Sequence, residues 1–395
     1  MKSDCFEFHC PVKIIAGHRA LEHLPYELGL CSARRPLLMT DAGVRAAGLL
    51  GPIEAAFAAA GVAPAVVFDE VPPDSSLPTV RQAAAAYRAA GCDALIAVGG
   101  GSVIDTAKAA NILVSEGGDD LQPHAGAHKL RRRLRPLFVV PTTAGTGSEV
   151  TLVAVVSDLE AGRKLPFTSG FLLPDLAVLD PRMTLTLPPR VTAMTAMDAL
   201  THAVEACTGL AANPISDAYA TAAIRKIGAH LIAVMDQPND ALGRLELMLA
   251  STMAGIAFSN SMVGMVHALG HALGALCHLP HGLCMGLLLP YVLEYNLPQR
   301  AERIGELLLP LAGAEVYAAT PPAQRAARTI GGIRELRDAL HRRCGLPRTL
   351  LETGQVAPQQ LVEVAALALD DGPIVFNPAE ADRDELLGVL RAAWQ

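Results

Sequence analysis

The chain has few aromatic residues: Phe, Trp and Tyr make up 4% of its 395 residues, and there is a single Trp. A hydrophobic share of 51%, much of it alanine, must fill the core instead, which predicts an Ala-rich, largely helical enzyme. Positive charge is also in deficit, with 32 Lys and Arg against 39 Asp and Glu, a net charge of −7 and a pI near 5.9. That balance excludes the basic stripe of a nucleic-acid binder. The one basic cluster, Lys129-Leu-Arg-Arg-Arg-Leu-Arg135, reads as a solvated loop or helix end ahead of an apolar strand. No pair among the eight cysteines is spaced C-x-x-C, so neither a zinc ribbon nor a disulfide framework is expected, and a reducing cytoplasm fits. The amino terminus lacks the apolar stretch of a secretory signal.

The most informative absence is local. From Leu247 to Leu293 there is no Asp, Glu, Lys or Arg, yet four of the twelve histidines fall there: His267, His271, His278 and His281. Ser259, Asn260, the histidines, several glycines and Pro280 interrupt this stretch before any clean 20-residue apolar run. It therefore predicts buried helices of a large domain rather than a membrane span. On a helix, His267 and His271 at i and i+4 share one face, about 5–6 Å apart at Cβ. Pro280 turns the chain, and His281 folds back toward the same pocket. Asp198 and His202 form a second i, i+4 pair, carboxylate beside imidazole. Imidazoles with one carboxylate suit Zn(2+) or Fe(2+). A lone histidine on an apolar face is an ordinary core residue; two spaced pairs and a histidine after proline argue for a metal site, with His278 as the bystander.

Length alone favours more than one domain. From Pro36 to Asp180 short apolar runs alternate with Ala-rich helical patterns, the signature of βαβ units and a parallel sheet. Strands are expected at 36–40, 65–68, 94–98, 137–140 and 176–179, helices near 44–60, 79–90 and 103–113, and a hairpin around 152–157. After Leu187-Pro188-Pro189 strand patterns end and long helices follow. The boundary is placed there: residues 1–187 form an α/β dinucleotide-binding domain, and residues 188–395 an all-helical domain carrying the metal and catalytic residues.

In the α/β half, the apolar run 94–98 enters Gly99-Gly100-Gly101-Ser102, and a helix follows. Glycines admit a pyrophosphate close to the backbone, and a helix N-terminus offers free N–H groups with a favourable dipole. The alternative is a plain tight turn, and the G-x-G-x-x-G pattern is absent. A second loop, Pro141-Thr142-Thr143-Ala144-Gly145-Thr146-Gly147-Ser148-Glu149, supplies hydroxyls for a nucleotide. Asp41, at the end of the first of these strands, is placed to accept from an adenosine ribose 2′-OH and to repel a 2′-phosphate, or else simply caps the next helix.

Together these stretches, from about Pro11 to Trp394, resemble the iron-dependent (group III) alcohol dehydrogenase family. The matching motifs are Gly99-Gly100-Gly101-Ser102 with Asp105 and Lys108, Pro141-Thr142-Thr143 through Ser148-Glu149, Asp198-Ala-Leu-x-His202-Ala-x-Glu205, and His267-x-x-x-His271 through Pro280-His281-Gly282. The resemblance implies a dehydroquinate synthase-like fold and a metal-dependent NAD(H) alcohol dehydrogenase or aldehyde reductase acting on a small primary alcohol or aldehyde. It implies metal ligands at Asp198, His202, His267 and His281, with Fe(2+) or Zn(2+), and a non-ligating active-site histidine at His271. Cofactor contacts are implied at Asp41, Gly99, Gly100, Gly101, Ser102, Asp105, Thr142, Thr143, Thr146, Ser148 and Lys164, and a cytoplasmic homodimer or larger homo-oligomer is expected. Where many members carry Asn, this chain has Asp74, a carboxylate that a pyrophosphate would repel. A maleylacetate reductase-like enzyme would lack the ligand set. A dehydroquinate synthase-like lyase would need a basic pocket, which the charge-free stretch argues against.

Overall fold

The computed structural model describes residues 5–161 and 163–395. By their contacts these form two compact units: Cys10–Leu187, and Pro188–Gln395 together with the described residues up to His9. The amino-terminal stretch joins the helical unit because the Phe8 ring stacks on Tyr219 at 5.9 Å and the His9 N–H donates to Asn260 Oδ1 at 2.7 Å.

Among the described residues of the first unit nine strands run β1 Lys13–Ala16, β2 Pro36–Met39, β3 Val66–Phe68, β4 Ala94–Gly99, β5 Gly126–Ala127, β6 Leu137–Pro141, β7 Val153–Asp158, β8 Arg163–Thr168 and β9 Leu176–Leu179. Its helices are α1 Leu24–Leu30, α2 Ala42–Ala46, α3 Leu50–Ala59, α4 Leu77–Ala89 and α5 Gly101–Glu116. Six strands pair in the order β1-β9-β6-β4-β2-β3, every neighbouring pair parallel. Alternating residues of each central strand feed two cores. Leu37, Met39, Leu95, Ala97, Leu137 and Val139 face α4 and α5, whereas Leu38, Ile96, Val98, Phe138, Val140 and Val178 face α1 and α3. Burial on both faces explains why these strands read as unbroken apolar runs.

Two expectations need correction. The single helix expected over 44–60 is two, α2 and α3, because Gly48 adopts φ +72° and breaks the run. The hairpin near 152–157 extends to Thr168 and belongs to a separate three-stranded sheet, β5-β8-β7. The fully buried Lys108 of α5 donates to Thr151 O, Thr151 Oγ1 and Val153 O, tying that helix to this small sheet.

The second unit contains α6 Pro189–Thr208, α7 Pro214–Asp236, α8 Ala241–Ser259, α9 Met265–Cys277, α10 His281–Glu306, α11 Leu308–Ala312, α12 Ala314–Ala319, α13 Arg325–Cys344, α14 Leu361–Leu369 and α15 Arg383–Ala392. Among its described residues there is no strand. Helix α8 meets the length and hydropathy of a membrane span, as core helices also do, and it packs against α6 and α7.

Candidate active site

Helix α6 carries Asp198, His202 and Glu205 at i, i+4 and i+7, so all three side chains lie on one buried face. Helix α9 brings His267. It ends at Cys277 through His278, which takes φ +55° as the cap and is exposed. The chain therefore turns two residues before Pro280, and His281 is the first residue of α10 rather than part of the turn. Gly282 sets how close α10 comes to α6: a Cβ there would stand 2.4 Å from Met194 O and 3.4 Å from Asp198 Cβ. Only glycine lets His281 reach its neighbour, and its Nε2 lies 3.3 Å from Asp198 Oδ1.

Asp198, His202, His267 and His281 each offer a ligand atom, and these atoms lie within 4.8 Å of one another. Asp198 Oδ1 and His267 Nε2 are buried without a hydrogen-bond partner, a costly arrangement unless a cation meets them, and His202 turns its Nε2 toward Asp198 Oδ1 at 3.8 Å. Burial lowers His202 to about 3, with His267 and His281 pushing the same way and Asp198 opposing. Burial and then His281 likewise lower His267, so these imidazoles are neutral and keep lone pairs for a metal. Burial alone would raise Asp198, but His202 and His281, once protonated in acid, outweigh it, so the carboxyl is held below its ordinary range and is ionised near neutrality. One carboxylate and three neutral imidazoles form a donor set that fits a divalent transition metal. Phe258 stacks on the His202 ring at 4.2 Å, so the wall beside the cluster is apolar.

His271 lies next to this cluster but outside it. Its ring centroid is 5.9 Å from that of His267 and 5.4 Å from that of His281. Its Nδ1 pairs with Asp371 Oδ2 at 2.6 Å, a partner one hundred residues away that no local pattern announces. The imidazole is 37% exposed, so solvent reaches it.

In the other unit the phosphate-loop candidates meet at the carboxyl ends of neighbouring strands. Beyond β2 the chain turns to β3 on one side, and beyond β4 it proceeds to β6 on the other, so β2 and β4 flank the point where strand order reverses. Open α/β sheets bind ligands at such a point. Thr40 Oγ1 donates to Val98 O at 2.8 Å, fastening the two strand ends together. Gly99 pairs with Pro141 across β4 and β6, and Thr142 N–H donates to Gly99 O. None of the three glycines has positive φ. Their smallness is needed for packing: a Cβ on Gly99 would stand 2.5 Å from Val103 Cγ2, and on Gly101 3.0 Å from Thr146 Cγ2, while on Gly100 it would touch Thr143. Gly147 does need its freedom, with φ +63° ahead of Ser148.

Asp41 Oδ1 accepts from Val44 N–H and caps α2, which leaves its second oxygen for a ligand. Two of the expected contact residues also hydrogen-bond within the protein. Asp105 is half-buried with its Oδ1 unpartnered, burial raises it to about 6, and its Oδ2 accepts from Val155 N–H; Ser102 Oγ donates to Pro73 O. Asp74 is exposed beside Pro73, and Lys164 is exposed on β8.

Two family models cover most of the chain: "Iron-containing alcohol dehydrogenase" over residues 11–181 and "Fe-containing alcohol dehydrogenase family, C-terminal" over residues 192–394. The chain belongs to the iron-containing alcohol dehydrogenase family. It is 34% identical over 394 residues to the 1,3-propanediol dehydrogenase of Klebsiella pneumoniae, covering 98% of this chain and 99% of that one. To the NAD-dependent methanol dehydrogenase of Bacillus methanolicus it is 30% identical over 389 residues, again 98% and 99% of the two chains. A solved 1,3-propanediol oxidoreductase superposes with a TM-score of 0.93 at 33% identity, over 99% of this chain and 100% of that one. As a member of this family the chain is an oxidoreductase that interconverts alcohols and aldehydes, on a parallel α/β domain and a helical domain of the dehydroquinate synthase-like kind.

Proposed function

We propose that the protein is an NAD(H)-linked enzyme for a small primary alcohol or aldehyde, with Asp198, His202, His267 and His281 holding one Fe(2+), or Zn(2+) where iron is scarce. The observation that carries this reading is the convergence of the four ligand atoms with unpartnered buried Asp198 Oδ1 and His267 Nε2. When bound, the metal supplies Lewis acidity toward a substrate oxygen, and the nicotinamide supplies or accepts the hydride. Around them the protein orients and excludes water. Asp198 balances the cation's charge, and Phe258 and the buried α8–α9 surroundings keep the site apolar. His271 moves a proton between the reacting hydroxyl and solvent, with Asp371 fixing its ring. Gly100, Gly101, Thr142, Thr143, Thr146 and Ser148 line the phosphates. The test is metal analysis of anaerobically purified protein followed by an NADH oxidation screen of short aldehydes. A metal-free protein, or no turnover in the metal-loaded form, refutes the reading.

Asp41 favours NAD(H), because its free oxygen suits a ribose 2′-OH and repels a 2′-phosphate. Asp41→Asn keeps an oxygen to cap α2 and removes the charge. It is expected to raise kcat/KM for NADP(H) relative to NAD(H) on the order of tenfold, the effect of about 1.4 kcal/mol, without loss of thermal stability. Equal use of both cofactors by the unaltered enzyme contradicts this assignment.

Cytoplasmic location and self-association complete the proposal. Strand β1 is the edge of the six-stranded sheet, with Ile14 37% exposed. An open apolar edge invites pairing, so a dimer is expected by light scattering at micromolar concentration, and a monomeric mass rules it out.

A further inference from the structure

Glu205 belongs to neither the ligand cluster nor the proton path, yet it is 5% exposed and sits one turn beyond His202. Both of its oxygens are engaged with the first turns of α9: Oε1 accepts from Val266 N–H at 2.7 Å, and Oε2 pairs with His267 Nδ1 at 2.5 Å. Gly264 makes this closeness possible, since a Cβ there would stand 3.2 Å from Glu205 Oε1 and 3.4 Å from Asn377 Oδ1. In its ionised form the Glu205 carboxylate only accepts hydrogen bonds, so His267 then carries its proton on Nδ1 and presents Nε2 as a lone pair. That nitrogen is the one left buried without a hydrogen-bond partner beside Asp198, His202 and His281.

We infer that Glu205 is a positioning residue for the metal centre, which fixes the tautomer and ring orientation of His267 while anchoring the start of α9. Helix α6 thereby provides two metal ligands and, three residues on, the orienter of a third. With both oxygens occupied, Glu205 is not itself a ligand. Backbone N–H groups of Gly264 and Val266 face it on one side and the imidazole on the other, and an amide has a single acceptor oxygen, so even the isosteric glutamine must abandon either the backbone or the imidazole. Partners of this kind behind a ligating histidine are worth roughly 10–100-fold in metal affinity.

The inference rests on the metal-site reading above. The experiment is a competitive titration of chelator-stripped protein with Zn(2+), and of its Co(2+) form by visible spectroscopy, for the unaltered enzyme and Glu205→Gln. Expected is a dissociation constant raised roughly 10–100-fold together with a shifted Co(2+) spectrum. A purely structural anchor would lower the melting temperature of the stripped protein and leave the affinity and spectrum of the folded fraction alone, and that result overturns the inference. If the unaltered protein binds no divalent ion, the metal-site reading itself has failed. Should Glu205→Gln not fold, the tautomer decides: in 15N-histidine-labelled stripped enzyme, His267 assigned by its loss in His267→Ala must carry its proton on Nδ1, and an Nε2-protonated ring overturns the assignment.

Discussion

His267→Ala is expected to lose bound metal and activity together. The substitution removes one of four converging ligands and also leaves the Glu205 Oε2 buried with no imidazole to face. Loss of affinity should exceed the roughly 10–100-fold typical of an outer-shell partner, enough to leave the protein largely metal-free after gel filtration. A ligand present at 100 times its dissociation constant adds about 2.7 kcal/mol to the folded state, so the variant should also lose the melting-temperature increase that added metal gives the unaltered enzyme. The burial-lowered imidazoles keep this difference visible at ordinary pH. His202 titrates at about 3, so protons do not compete with metal for it near neutrality. Elemental analysis and calorimetry with and without added metal check the result, and near-stoichiometric metal in His267→Ala would remove His267 from the ligand set.

How much of this was legible in the sequence differs between the two units for physical reasons. Strand β9 matches its expected range from Leu176 to Leu179, and β4 and β6 each differ from theirs by one residue at the end. Buried parallel strands are unbroken apolar runs, and their turn residues mark where they stop. Strands β5 and β8 were missed: β5 has two residues, and β8, Arg163-Lys-Leu-Pro-Phe-Thr168, mixes charge and proline into its pattern. Spacing of i and i+4 made the pairs Asp198 with His202 and His267 with His271 legible, while the choice of His281 over His271 as the fourth candidate ligand came from the family resemblance. Their partners were not legible. Glu205 faces His267 across 62 residues and Asp371 faces His271 across 100. Glu205 stood in a recognised motif without a role, and only its acidic character within a buried face hinted at one. Asp105, which the resemblance implied, likewise turns one oxygen toward Val155, a partner fifty residues away.

His271→Ala is the counterpart of His267→Ala, and the pair separates ligand from proton carrier within one helical turn. His271 lies outside the group of four ligand atoms, and Asp371 holds its Nδ1. Removing the imidazole should therefore leave metal content near stoichiometric and the metal-dependent rise in melting temperature intact. Turnover should fall roughly 10²–10⁴-fold, the range lost with a positioned general acid–base group, because the substrate hydroxyl proton no longer has a route to solvent through a partly exposed ring. The loss should fall mainly on kcat, since the imidazole works in the proton step rather than in holding ground-state substrate. The pH dependence of the residual rate should change shape as well. Asp371→Asn should reproduce part of this loss, because an amide can orient the ring but cannot stabilise the imidazolium. Unchanged turnover in His271→Ala would end the proton-carrier role. A His271→Ala protein stripped of metal beside a His267→Ala protein that retains it would exchange the two assignments, and the order of the residues along α9 would have to be reread.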